Sequence, residues 1–223
     1  MTFAAIALLA TAAMAEPEIG SRIDNSKGSV DYSDLTGKDA SSRSMDRFAR
    51  CRAAQRPKVA STILDLPYLS PEQQQALFKF ADGGVVDACL GNDERRLTFA
   101  PPAMLGGMAE ALILMPERKD ARRALHPTAE SLVAKAGYAP RNLAEDFAQC
   151  VVEQDPVTVL ALVNSVVGGD IEARLLQQLT PNLGPCLSSG QKISLNKYSI
   201  RSTLAYGLYR LMPVLSAPSV PQQ

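Results

Sequence analysis

The chain offers few groups that could do chemistry, and their spacing narrows the choice further. Four cysteines, Cys51, Cys89, Cys150 and Cys186, are its thiols, and His126 is its one imidazole. A single histidine excludes every two-histidine zinc motif, and no set of metal ligands is in sight. No C-x-x-C pair occurs, so thioredoxin-like exchange has no basis. Cysteine–histidine catalysis would need a thiol beside His126, but His126-Pro127 reads as a helix boundary in a connecting stretch. No G-x-S-x-G elbow is present. Two S-x-x-K matches, Ser189 to Lys192 and Ser194 to Lys197, lack the partner motifs of a serine–lysine site. The pairs Gly83-Gly84, Gly106-Gly107 and Gly168-Gly169 suit turns or close helix packing, not a phosphate loop. Neither a cofactor nor a metal is expected.

Carboxylates remain. Glu110 is the one acid in the apolar stretch GGMAEALIL. A buried glutamate has a raised pKa and can act as a general acid, and two acids suffice for glycoside hydrolysis. The plainer reading is a glutamate at a helix edge or paired with an arginine.

Charge gives a second lead. The chain has 23 Lys+Arg and 23 Asp+Glu, which argues against a general nucleic-acid binder. That neutrality hides a contrast. Residues 41–58 hold Arg43, Arg47, Arg50, Arg52, Arg56 and Lys58 against Asp46 alone. Residues 141–156 hold Arg141 against Glu145, Asp146, Glu153 and Asp155. Arg43, Arg47 and Arg50, at i, i+4 and i+7, share a helix face. Together with Arg52 and Arg56 they are the candidate surface for a phosphate, a lipid headgroup or an acidic protein. Attraction between the two stretches, within one molecule or between two, is another reading. A solvated charged helix is the third.

The elements that carry these residues recur. Phe48-Ala49-Arg50-Cys51, with Gln55 and Pro57, matches Phe147-Ala148-Gln149-Cys150, with Gln154 and Pro156, at an offset of 99. Cys89-Leu90 matches Cys186-Leu187 at 97, and Met108-Ala109-x-x-Leu112 matches Leu204-Ala205-x-x-Leu208 at 96. Three blocks in one order, using all four cysteines, read as a tandem duplication. It favours one bridge within each half, Cys51–Cys89 and Cys150–Cys186; a bridge between the halves and free thiols are the alternatives.

Each half reads as four helices. Pro57 and Pro156 open the second helix, with Asp155 the better cap and Arg56 the poorer. Val59, Ile63 and Leu66 give that helix a buried stripe. Ser70-Pro71-Glu72-Gln73 opens the third, and its counterpart starts near Gly169-Asp170. The segments RRLTF and QKISL read as extended or loop, and the fourth helices run near 102–115 and 199–212. Met104, Met108 and Met115 read as core filling.

The N-terminus is an address. FAAIALLATAAM followed by Ala13-Met14-Ala15 is the pattern of a secretory signal peptide, and the run is too short to span a bilayer. No later apolar run reaches 18 residues. The organisation is thus a signal peptide over 1–15, a flexible leader over 16–43 and a helical repeat over 44–115. A linker over 116–140 has room for a helix at 128–136; a second repeat over 141–213 and a Pro-rich tail over 214–223 follow. Export implies an oxidising compartment, where four cysteines pair.

The F-A-x-C-x-x-x-Q-x-P motif, the later Cys-Leu and the closing L-A-x-x-L block resemble a group of exported alphaproteobacterial proteins. The likeness spans 45–115 and 142–212. It implies bacterial export and the paired-cysteine repeat and carries no activity with it; the Arg-rich first helix departs from its pattern. The expectation is an all-α protein of two tandem four-helix repeats, each stapled by one disulfide, periplasmic or secreted. Its expected role is non-enzymatic binding or interaction in the cell envelope. The partner is an acidic protein, a lipid headgroup or a second copy. A carboxylate-dependent envelope hydrolase using Glu110 is the alternative.

Overall fold

A computed structural model describes residues 22–23, 37–82, 89, 97–98, 100–125, 140–187 and 196–215. Among them the protein is all-α apart from one short pairing. Two-residue strands β1 (Arg22–Ile23) and β2 (Leu97–Thr98) pair antiparallel. The helices are α1 (Gly37–Gln55), α2 (Pro57–Asp65), α3 (Pro71–Asp82), α4 (Pro101–Leu114), α5 (Lys119–Arg123), α6 (Leu143–Gln154), α7 (Pro156–Asn164), α8 (Asp170–Leu183) and α9 (Lys197–Leu215).

Four helices form the frame. α1 packs on α4, α4 on α9, and α9 on α6, while α2 and α3 pair beside the first end and α7 and α8 beside the second. Small residues set the close crossings. A Cβ on Gly106 would overlap that of Ser202, so α4 and α9 meet there at backbone distance. A Cβ on Gly107 would lie 2.6 Å from Ala49 Cβ, and one on Gly207 would lie 2.8 Å from Ala148 Cβ. One hydrophobic core runs through both halves and includes Phe48, Leu105, Met108, Phe147, Leu204 and Leu208.

This packing explains each letter of the recurring motif. Phe48 and Phe147 are buried in the core, and Ala49 and Ala148 lie under the glycines of the facing helix. The cysteines form Cys51–Cys89, with S–S 2.10 Å, and Cys150–Cys186, with S–S 2.02 Å. One turn on, Gln55 Nε2 donates to Cys51 Sγ at 3.7 Å, and Gln154 Nε2 donates to Cys150 Sγ at 3.4 Å and Cys186 Sγ at 3.3 Å. Pro57 and Pro156 then start two nine-residue helices.

The ends of those two helices agree in detail. Each closes on an extended residue, Leu66 or Ser165. Among the described residues, Leu69 and Gly168 are the ones of positive φ, at 60° and 72°. Leu69 N donates to Gln73 Oε1 and Gly168 N to Glu172 Oε2, both at 2.7 Å. Leu69 is a leucine where glycine is the unstrained choice, so the turn is imposed by its surroundings.

Several expectations shift. α1 starts at Gly37, so 37–43 are helical rather than leader, and Arg43 Nε anchors that turn on Val167 O at 3.0 Å. α9 runs to Leu215, two residues into the expected tail. The buried stripe of α2 is Ala60, Ile63 and Leu64, while Val59 is 36% exposed. The i, i+3, i+4 face wins because small Ala60 lets the helix approach the core. Asp155 caps Thr158 N and Ser70 Oγ accepts from Gln73 N, whereas Arg56 makes no side-chain cap. Residues 1–15, His126, the helix expected at 128–136, the segment QKISL and the serines of both S-x-x-K matches lie outside the described residues.

Candidate functional site

The carboxyl end of α7 gathers three of the buried charged side chains, Glu110, Glu172 and Arg201. Its carbonyls lack intrahelical donors and carry the negative end of the helix dipole, so they attract cations. Three arginines converge there from two helices. Arg201 of α9 donates through Nη2 to Val163 O at 3.2 Å and Ser165 O at 3.0 Å. Arg50 of α1 donates to Val163 O at 3.0 Å, and Arg43 to Val167 O.

Glu110 of α4 joins two of them. Arg201 Nε donates to Glu110 Oε1 at 2.7 Å and Arg201 Nη2 to Glu110 Oε2 at 3.0 Å, a bidentate pair. Arg50 Nη2 donates to the same Oε2. Arg201 Nη1 donates to Glu172 Oε1 at 2.9 Å and Ser165 Oγ at 3.0 Å. Arg50 Nε donates to Asp46 Oδ1 at 2.9 Å. Glu110 is 2% exposed and Arg201 3%, whereas Arg50 stands at the edge, its side chain 26% exposed. Burial pushes the Glu110 carboxyl up to about 7, with Arg201 and Arg50 pulling against it and Asp46 adding to the rise. Burial also works against the Arg50 and Arg201 charges, but their carboxylate partners outweigh it and both stand above the ordinary arginine value.

Glu110 is therefore committed. The other buried carboxylate of the cluster, Glu172, binds another nitrogen of Arg201, so the same guanidinium holds both acids. This takes away the geometric support for Glu110 as a general acid. Arg201, Glu172 and Asp46 are members that the sequence reading missed. Arg201 is one of three basic residues of α9, with Lys197 and Arg210, and nothing in the sequence alone singles it out as the partner of Glu110.

The arginine stretch does not form one surface. Arg43 and Arg50 point into the α7 end, and Arg52 is buried, donating to Phe80 O with its guanidinium 5.3 Å from the Phe80 ring centroid. Burial, with Arg56 beside it, lowers the Arg52 pKa. Arg47 and Arg56 are exposed, and Arg56 lies over the Phe80 ring at 5.8 Å. Arginine fits these places because its fork can satisfy carbonyl and carboxylate together.

The end of α2 is closed without a buried ion pair. Tyr206 Oη donates to Leu64 O at 3.0 Å, and Gln73 Nε2 donates to Ile63 O at 2.9 Å and Leu66 O at 3.3 Å. Burial raises the Tyr206 hydroxyl to about 12. Arg210 Nη1 adds a bond to Leu64 O at 3.3 Å from a half-buried position, paired with exposed Asp65.

No family model, curated protein or solved structure matches the chain. No group of three or more histidine, cysteine or acidic side chains among the described residues could hold a metal ion. No described helix is long and apolar enough to cross a membrane.

Proposed function

We propose that this chain is an exported, non-enzymatic binding or interaction protein of the bacterial cell envelope. The two closed disulfides carry the reading, because such bridges belong to an oxidising compartment. The apolar run and A-x-A pattern at 3–15 support export by a signal peptide, to the periplasm or beyond. The commitment of Glu110 to Arg201 supports a role without catalysis. Tandem duplication is supported by the positive-φ residues Leu69 and Gly168, 99 apart, and by Gly106 meeting Ser202, 96 apart. Arg47, Arg56 and Lys58 are the exposed bases of the first stretch and favour an acidic partner.

The test expresses the chain from its own Met1 in a bacterial host, with photo-crosslinking residues at Arg47 and Arg56. Cleavage after Ala15, oxidised cysteines and a cross-linked acidic protein or lipid are expected. Full-length chain retained in the cytoplasm with free thiols would overturn export. Cross-links no different from those of a control site on α8 would overturn the binding face.

A further inference from the structure

Glu110 has two oxygens and three N–H donors. Oε1 accepts from Arg201 Nε, and Oε2 accepts from Arg201 Nη2 and Arg50 Nη2. Protonation removes the carboxylate charge and turns one oxygen into a donor, so the hold on the three N–H groups weakens and the guanidinium with the cheaper alternative gives way. Arg201 cannot be the loser at low cost. It is sealed, held in two contacts by Glu110, and tied to Glu172, Ser165 and Val163. Arg50 can be. Its side chain is 26% exposed, it keeps Asp46 as an ionic partner one turn back on α1, and the Val163 O it would give up is also served by Arg201 Nη2.

We propose that the cluster at the end of α7 is a proton-operated clasp, in which a proton on Glu110 releases the Arg50 guanidinium outward and its loss draws Arg50 back in. Released, Arg50 would stand one turn from exposed Arg47 and extend the basic face of α1. The groups facing Glu110 are Arg201 from α9 and Arg50 and Asp46 from α1. Glu172 of α8 reaches it through Arg201, and Arg43 sits on the same helix end. Glu110 is sealed from water, so its burial opposes the carboxylate charge that the two guanidiniums favour. Burial places that exchange near neutral pH, at about 7 for Glu110. The clasp needs no partner and is independent of the proposed export.

The experiment is nuclear magnetic resonance of the full, disulfide-bonded chain with labelled glutamate and arginine, titrated from pH 5 to 8.5. Three results are expected. The Glu110 carboxyl titrates near neutral. The resolved Nη–H signals of Arg50 collapse to those of a freely rotating guanidinium as the proton binds, while Arg201 stays resolved. In Glu110→Gln, Arg50 is released at every pH. A Glu110 midpoint below 5 overturns the proposal, as do Arg50 signals that do not follow Glu110. The wild-type titration decides even if the variant does not fold.

Discussion

Arg201→Met tests the cluster most directly. The side chain makes six hydrogen bonds, to Glu110 Oε1 and Oε2, Glu172 Oε1, Ser165 Oγ, Val163 O and Ser165 O. Methionine keeps much of the volume and removes every donor. Two buried carboxylates, Glu110 and Glu172, are then left with Arg50 at the edge of the site. Breaking a buried pair from one side costs about 3–5 kcal/mol, because the remaining charge is desolvated without compensation. Total stabilities are about 5–15 kcal/mol, so the loss is a large fraction. For a chain of this size it lowers Tm by roughly 6–20 °C. Urea unfolding followed by circular dichroism measures it as a lower midpoint at unchanged slope. The loss shrinks between pH 8 and pH 5, as the orphaned Glu110 takes up a proton. Adding Glu110→Gln and Glu172→Gln to Arg201→Met recovers most of it, a non-additivity expected of one network. A loss under about 1 kcal/mol for Arg201→Met at pH 8 would refute the reasoning.

Glu110→Gln alone is mild and flattens the pH dependence. The folded pKa of about 7 lies above the ordinary 4.5, so between those values the folded state binds more protons than the unfolded. The wild type's advantage is therefore fully present below 4.5 and is lost as pH rises through 7, on the order of 3 kcal/mol in all. Unfolding free energies of the two proteins, compared from pH 5 to 8, give this difference. The pairs Cys51→Ser with Cys89→Ser and Cys150→Ser with Cys186→Ser close loops of 38 and 36 residues, and each removal costs about 4 kcal/mol by calorimetry or urea. Gly106→Ala overlaps the backbone and Cβ of Ser202 and loses roughly 1–3 kcal/mol. Gly184→Ala meets nothing within 4 Å at an ordinary φ of −61° and gains about 0.4–1 kcal/mol, so the two shift Tm in opposite directions. Glu110→Tyr with Glu172→Gln and Arg201→Leu, which copies the residues at the α2 end, folds and loses its pH response between 5 and 8, read by thermal melts.

The helices were legible because their punctuation is local. Pro57, Ser70-Pro71, Asp155-Pro156 and Gly169-Asp170 mark starts that backbone chemistry alone dictates, and the helices begin there. The start of α1 was not legible, because KDASSRS has neither an apolar stripe nor a proline. A long-range bond from Arg43 to Val167 O, 124 residues away, holds its first part. The arginines misled for a related reason. An i, i+4, i+7 pattern gives a face but not what that face meets, and here Arg43 and Arg50 meet carbonyls at the end of α7 while Arg47 stays exposed. Glu110 was noticed as an acid in an apolar helix; its partner was not, because Arg201 is 91 residues on and counting charges per helix does not pair them.

The two helix ends bear on why the charges are kept. Leu64 and Leu66 carbonyls are satisfied by Tyr206 and Gln73; Val163 and Ser165 carbonyls are satisfied by Arg201, which Glu110 and Glu172 hold in place. The task is the same, and neutral groups perform most of it at α2. Capping alone therefore does not require a buried ion cluster, whose desolvation costs several kcal/mol per ion. What the charged solution has and the tyrosine lacks is a response to protons, since Tyr206 stays neutral to about pH 12 while Glu110 exchanges near neutral.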